Sequence, residues 1–160
     1  MNIRKARPQE MDSIMDIIAH ARSIMRANGN ASQWINGYPS RELMLECLDK
    51  GELFVCISGR EPAGVFCFAV AEDPNYNKIE GAWLNEAPYG VIHRLATNGQ
   101  IRGVAAAVLD WCFEQHPNIR VDTHRDNTIM QHIFEKMGYS YCGIIYVSDG
   151  TPRLAYQKVP

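Results

Sequence analysis

The chain has no run of apolar residues approaching the ~20 needed to cross a bilayer, and its start, Met1-Asn2-Ile3-Arg4-Lys5, has no apolar stretch behind its charges. Neither a membrane span nor a secretory leader is expected. It lacks a charge excess: 16 basic side chains stand against 18 acidic ones, net −2. That argues against a nucleic-acid binder held by bulk electrostatics. With 46% hydrophobic residues the chain is also no candidate for disorder. No C-x-x-C is present, and no Cys/His spacing fits a zinc site, so no metal is expected. The five cysteines (Cys47, Cys56, Cys67, Cys112, Cys142) are odd in number, and four lie inside apolar runs such as Phe54-Val55-Cys56-Ile57. They read as reduced, buried small hydrophobes in a cytoplasmic protein. There are no internal repeats and no low-complexity linkers. A length of 160 residues fits one domain, 1–160.

What is present is a sequence of short periodic segments. Ile3–Ala6 reads as a first strand. Met11, Ile14, Met15, Ile18, Ala21 and Met25 share one helical face, stopped by Asn28-Gly29-Asn30. Ser40 caps a second helix carrying Leu43, Met44, Cys47 and Leu48, ended by Gly51. Leu53–Ile57 and Ala63–Ala71 read as a hairpin around Ser58–Pro62. Residues 72–90 show no period, and a structureless loop of that length in a small domain is often functional. Val91–Ala96 is a strand. Gly103–Phe113 is apolar nearly all round and reads as a buried helix. Ile119–Asp122 is a short strand, and Asn127 caps a helix with Ile129, Met130, Ile133, Phe134 and Met137 on one face, stopped by Gly138. Tyr139–Val147 and Arg153–Lys158 close the chain as strands. The order β-α-α-β-β-β-α-β-α-β-β implies an α/β (α+β) fold, a mixed sheet with helices on its faces.

One segment carries chemistry. Gln100-Ile101-Arg102-Gly103-Val104-Ala105 lies between a strand and a buried helix. A helix N-terminus leaves backbone N–H groups unpaired, its dipole adds partial positive charge, and the two together seat phosphate oxygens. Gly103 permits close approach, and Arg102 adds a charge-assisted contact. Alone, the segment reads more readily as an ordinary strand–turn–helix junction. Its context is more specific. Q-x-x-G-x-A, preceded by His93-Arg94-Leu95-Ala96-Thr97, resembles motif A (R/Q-x-x-G-x-G/A) of the GNAT superfamily of acetyl-CoA-dependent N-acetyltransferases. Asp122–Asn127, then Met130, Phe134, Lys136 and Gly138-Tyr139, resembles the family's motif B region, N-x-x-A-x-x-x-Y-x-K-x-G-F. The order of elements matches that fold, with a mostly antiparallel central sheet, over nearly the whole chain.

The resemblance implies a set of roles. The coenzyme A pyrophosphate would lie on the N–H groups of Gln100 to Ala105 (Gln100, Ile101, Arg102, Gly103, Val104 and Ala105). Pantetheine would pair along the strand ending Leu95-Ala96-Thr97, and an N–H near Leu95 or Ala96 would polarise the thioester carbonyl. Asn127 would contact the cofactor and Phe134 would line its channel. Phe134 stands where many members have a tyrosine that protonates the leaving thiolate. Phenylalanine has no proton to give, so Tyr141, Tyr146 or a water takes that part, or the thiolate leaves unassisted.

An amine nucleophile must lose a proton, and His93, with an ordinary pKa near 6.5, suits a general base. Strand alternation puts it on the face of Val91 and Leu95; a histidine hydrogen-bonded within the sheet is the competing reading. His124 is the next candidate, while Glu72 and Glu80 are unplaced. His124-Arg125-Asp126 spells a kinase triplet, but the chain is too short for that fold and lacks the accompanying motifs. Trp34, Tyr38, Tyr76, Trp83 and Tyr89 sit in loops and are expected to wall an acceptor cleft or meet an ammonium, or else to pack those loops onto the sheet. The expected reaction is acetyl transfer from acetyl-CoA, without a metal, to the amine of a small molecule or peptide, with a homodimer compatible. The alternatives are a coenzyme A-binding regulatory module without turnover, and transfer to a hydroxyl or of a longer acyl group.

Overall fold

The computed structural model describes residues Met1–Pro160. Strand β1 (Asn2–Lys5) leads through a 3-10 turn at Pro8–Glu10 into helix α1 (Met11–Ala27). Helix α2 (Arg41–Asp49) follows, then β2 (Leu53–Ser58), β3 (Glu61–Val70), β4 (Glu80–Gly81) and β5 (Gly90–Thr97). After helix α3 (Val104–Gln115) come β6 (Ile119–Thr123), α4 (Thr128–Lys136), β7 (Ser140–Tyr146) and β8 (Pro152–Lys158). All eight strands form one sheet in the order β1-β2-β3-β5-β6-β8-β7-β4. Every neighbouring pair is antiparallel except β5–β6. The sheet is therefore mixed and mostly antiparallel, flanked by four helices. No helix is long and apolar enough to cross a membrane.

Side-chain period decides which helix covers which face. Met11, Ile14, Ile18 and Ala21 of α1 and Met44 and Cys47 of α2 pack on Val55, Val65, Cys67 and Ala96. On the opposite face Val104, Val108, Leu109 and Cys112 of α3 and Phe134 of α4 pack on Phe66, Phe68, Ile92, Val121 and Tyr156. A third, smaller cluster joins Tyr76 and Tyr89 to Val91, Ile145 and Ala155, on the α1–α2 side of the sheet's other half.

Two expectations change here. The hairpin turn is shorter than Ser58–Pro62: β3 begins at Glu61, and Pro62 already pairs with Ile57. Residues 72–90 are also not structureless. They contain a 3-10 turn at Pro74–Tyr76, with Asp73 Oδ1 accepting from the Asn75 N–H at 2.9 Å, and the short strand β4. That strand pairs Glu80 with Ile144 and Gly81 with Gly143. Both glycines have positive φ, and a Cβ on either would overlap the facing carbonyl, of Cys142 or of Glu80. Only glycine permits so close an approach, and two residues carry too little period to announce a strand.

Candidate active site

β5 and β6 pair only at Gly90–Ile119 and Val91–Arg120. Beyond that, β5 follows β3 to Thr97 and β6 follows β8 to Thr123, so the two strands part. The gap opens into a cleft of about 640 Å³. Its walls come from the loop after α1 (Gln33, Trp34, Tyr38), from β5 and β6, from Asn127, Met130 and Phe134, and from the β7–β8 turn with Arg153.

β5 is bulged inside this gap. His93 pairs with Cys67 and Ala96 with Val65, leaving Arg94 and Leu95 opposite one residue of β3. Arg94 takes up the extra residue in the left-handed region, φ 55°. Alternation therefore breaks. Leu95 packs against the α3 side, while Val91 belongs to the opposite cluster. The expectation that His93 shares a face with Leu95 is overturned, and Arg94 joins His93 on the α1–α2 face instead. There its Nε donates to Tyr38 Oη at 3.1 Å and its Nη1 to Cys67 Sγ at 3.6 Å. The bulge also sorts backbone donors. The Asn98 N–H is bonded to the Ala63 carbonyl, so by ladder alternation Ala96 faces β3 and Leu95 turns its N–H toward the gap.

His93 Nε2 lies 2.8 Å from Asp73 Oδ2. Burial alone would lower its pKa; the hydrogen bond to Asp73, with the fields of Asp122 and Asp73, raises it above the ordinary value. Burial pushes Asp73 upward, but the His93 and Asn75 hydrogen bonds outweigh it and hold the carboxyl below its ordinary range. The loop bearing Asp73 is fixed by its own N–H, which donates to Tyr89 Oη at 2.9 Å. Beside this pair Tyr76 donates its hydroxyl to Asp122 Oδ2 at 2.6 Å. Burial raises Asp122 despite the His93 charge and the Tyr76 hydrogen bond, and burial with the Asp122 charge raises Tyr76. Cys67, under Arg94, is drawn below the ordinary thiol pKa by the neighbouring Cys47 thiol and by the Arg94 guanidinium, against the opposing effect of burial. All five cysteines are free.

The α3 N-terminus lies at the C-terminal end of β5. Gly103 is its N-cap in the left-handed conformation, φ 79°, with no side chain capping the helix. α2 and α4, by contrast, are capped by Ser40 and Asn127. The first helical bond runs from the Ala107 N–H to the Gly103 carbonyl, leaving the N–H groups of Val104, Ala105 and Ala106 outside the helical ladder. A Cβ on Gly103 would meet nothing within 4 Å, so the approach is open. One donor of the segment expected to seat phosphate is already committed: the Gln100 N–H donates to Asn98 Oδ1 at 3.0 Å. Ile101 and Arg102 are exposed. The Thr97 hydroxyl accepts from the Gly99 N–H at 3.4 Å.

The other sequence candidates divide. Leu95 and Phe134 line the cleft, and Phe134 packs on Tyr156 and Tyr139 at 5.2 and 5.7 Å between ring centres. Asn127 lines it too, with both ends of its amide in use: Oδ1 caps α4 and Nδ2 donates to Gln33 Oε1 at 3.1 Å. Gln33 Oε1 also accepts from Asn30 at 2.9 Å and Thr123 at 3.4 Å, tying the α1–α2 loop to the end of β6. Trp34 and Tyr38 are on the cleft wall. Tyr76, Trp83 and Tyr89 are not. They bound a separate cavity of about 580 Å³, where Trp83 and Tyr89 sandwich the buried Arg120 guanidinium at 4.3 and 4.1 Å. Their rings pack the 72–90 loop onto the sheet. Tyr141 and Tyr146 lie outside the cleft lining: Tyr141 is exposed against Tyr156, and Tyr146 donates to Glu80 Oε1 at 2.8 Å on the sheet edge. His124 is buried, its Nδ1 accepting from the Asp126 N–H at 3.0 Å, and Glu72 is exposed. No group of three His, Cys, Asp or Glu side chains converges as a metal site.

Asp73, Arg94, Asp122 and Arg153 had no place among the sequence candidates. Alternation along Ile119-Arg120-Val121-Asp122-Thr123 holds a signal for one of them, since it sets the charged Arg120 and Asp122 together on one face of the strand. Nothing local marks Asp73.

No family model and no curated protein matches the chain. Solved structures do. An acetyltransferase of the GNAT family from Streptococcus agalactiae 2603 is 37% identical, with a TM-score of 0.91, over 99% of this chain and 95% of that one. A putative acetyltransferase from Staphylococcus aureus Mu50 has 21% identity and a TM-score of 0.75 over 99% of both chains. GphF, a GNAT-like decarboxylase in complex with isobutyryl-CoA, has 12% identity and a TM-score of 0.66, also over 99% of both, a likeness of fold.

Proposed function

This chain belongs to the GNAT family of acetyltransferases, and from that premise we propose that it moves an acetyl group from acetyl-CoA to the primary amine of a small molecule or peptide by direct attack on the thioester. It is an acyltransferase; the donor and the acceptor are our reading. The carrying observation is the parting of β5 and β6 with the His93–Asp73 pair on one wall.

In this reading pantetheine fills the gap and pairs with the free edge of β5. The pyrophosphate rests on the uncapped α3 terminus, at Gly103, Val104 and Ala105, with Arg102 beside it. The Leu95 N–H, rather than that of Ala96, meets the thioester oxygen as negative charge develops there. His93 takes a proton from the acceptor's ammonium, and the free amine then attacks. Asp73 fixes the ring by accepting from Nε2–H, which leaves Nδ1 as the basic nitrogen, and stabilises the imidazolium that forms. The amine nitrogen bonds to the acetyl carbon as the carbon–sulfur bond breaks. With Phe134 in the cleft and Tyr141 and Tyr146 outside it, the sulfur leaves as thiolate and takes a proton from water. A thiol pKa of about 8.5 makes that departure tolerable.

The test is thiol release from acetyl-CoA across a panel of amines, with acceptor acetylation followed by mass. One acetylated acceptor per thiol and intersecting steady-state lines are expected. Parallel lines with an acetylated cysteine would overturn direct transfer. Tight acetyl-CoA binding with no turnover across the panel would make the protein a binding module.

A further inference from the structure

Arg94 and Arg153 both line the cleft, on the face of the sheet that carries His93. Arg153 is 8% exposed. Neither guanidinium makes an ion pair. Arg94 commits Nε and Nη1, to Tyr38 and Cys67, and Arg153 commits Nη1, to Thr151 Oγ1 and the Pro152 carbonyl. Arg94 Nη2 and Arg153 Nε and Nη2 have no protein partner, and none of them is fully buried. The cleft's own carboxylates are engaged elsewhere: Asp73 with His93, Asp122 with Tyr76, and Asp149 with the Thr151 N–H and hydroxyl.

An arginine drawn out of water without a counter-ion is costly. Its planar fork of donors fits a carboxylate or a phosphate. Two such groups facing one cleft offer it unpartnered, charge-assisted donors on the face that carries the base. The proposed seat for the coenzyme A phosphates, the α3 terminus, lies beyond the C-terminal end of β5.

We propose that the acceptor bears an oxyanion, a carboxylate or a phosphate, on the same molecule as its amine, and that Arg94 and Arg153 hold that group while the amine faces His93. This rests on the acetyl-transfer reading and adds the chemical class of the acceptor. The matching molecules are amino acids, short peptides with a free C-terminus and amino-phosphates.

Matched pairs test it: amino acids against their amides, dipeptides against their C-terminal amides, and 2-aminoethyl phosphate against ethanolamine. Each is assayed for thiol release and, with coenzyme A present, for binding heat. The acidic member of at least one pair is expected to be favoured tenfold or more in kcat/KM, mainly through KM; which pair responds separates carboxylate from phosphate. Arg153→Gln and, independently, Arg94→Gln should bring that ratio toward one. Thermal melting and coenzyme A binding check that each variant is folded. Equal rates and heats within every pair, a preference that survives both substitutions, or no response to any pair by a protein that binds coenzyme A would each overturn the acidic acceptor. Failure to bind coenzyme A would instead remove the acetyl-transfer reading beneath it.

Discussion

His93 and Asp73 are twenty positions apart, and their 2.8 Å contact is the most consequential pair in the cleft. A histidine near a cofactor strand is legible from residue type and ordinary pKa; its partner is not, because Asp73 reaches it through a loop without period. The pair makes pH predictions of definite sign. Activity should rise with pH through the raised His93 pKa, since the base works deprotonated. Asp73→Asn removes the carboxylate charge that strengthens this hydrogen bond and raises the pKa, so the acid limb should move to lower pH and the plateau should fall. His93→Ala should lower kcat by roughly 10²–10⁴ and erase that limb; an unchanged pH–rate profile would remove His93 from the role. Stability follows the same pair. Asp73's share is present above about pH 4 and lost as pH falls, whereas His93's is complete below about pH 6.5 and lost as pH rises through its raised pKa. The melting difference between wild type and Asp73→Asn should therefore peak between those limits and shrink on either side.

At the scale of elements, the helices are legible because each has one apolar face and a clear stop. Ser40 and Asn127 cap where their residue types suggest. The bulge in β5 is not legible: it arises from register against β3, and no local residue demands a left-handed arginine. Its effect is large, since it sends Leu95 to one face and Arg94 to the other and picks out one backbone donor. Strand β4 escaped notice for a different reason, its two residues depending on the Gly81–Gly143 approach. Gly143→Ala forces a Cβ against the Glu80 carbonyl at φ 144°. A loss of roughly 1–3 kcal/mol is expected in denaturant melts, with coenzyme A binding retained, since that edge lies away from the cleft. Gly103→Glu tests the α3 terminus. It should weaken coenzyme A binding at least tenfold in a calorimetric titration, by bulk and by like charge. Gly103→Asn, whose side chain tolerates the left-handed conformation, separates backbone strain from charge.

For the molecule as a whole, the near-balance of charge conceals a polar division of labour. One proposed anion seat is a bare helix end beyond the C-terminal end of β5. The other is a pair of arginines on the face that carries His93, the proposed base. Neither proposed seat requires a basic composition, so a net charge of −2 argued against bulk nucleic-acid affinity without hinting at a phosphate-bearing cofactor. The order of elements and two short motifs carried the family resemblance. The aromatic residues misled in part, because Tyr76, Trp83 and Tyr89 build the loop that positions Asp73 rather than the cleft wall. Their indirect part is testable as well: Tyr89→Phe removes the acceptor for the Asp73 N–H and should lower kcat several-fold with little change in acetyl-CoA affinity. The most direct measurement of the central claim is a crystal structure of the chain with acetyl-CoA bound. The account predicts the pyrophosphate on the N–H groups at Gly103–Ala105, the thioester oxygen within hydrogen-bond distance of the Leu95 N–H, and the acetyl carbon facing His93. A thioester turned away from Leu95, or a cofactor seated outside the β5–β6 gap, would contradict it.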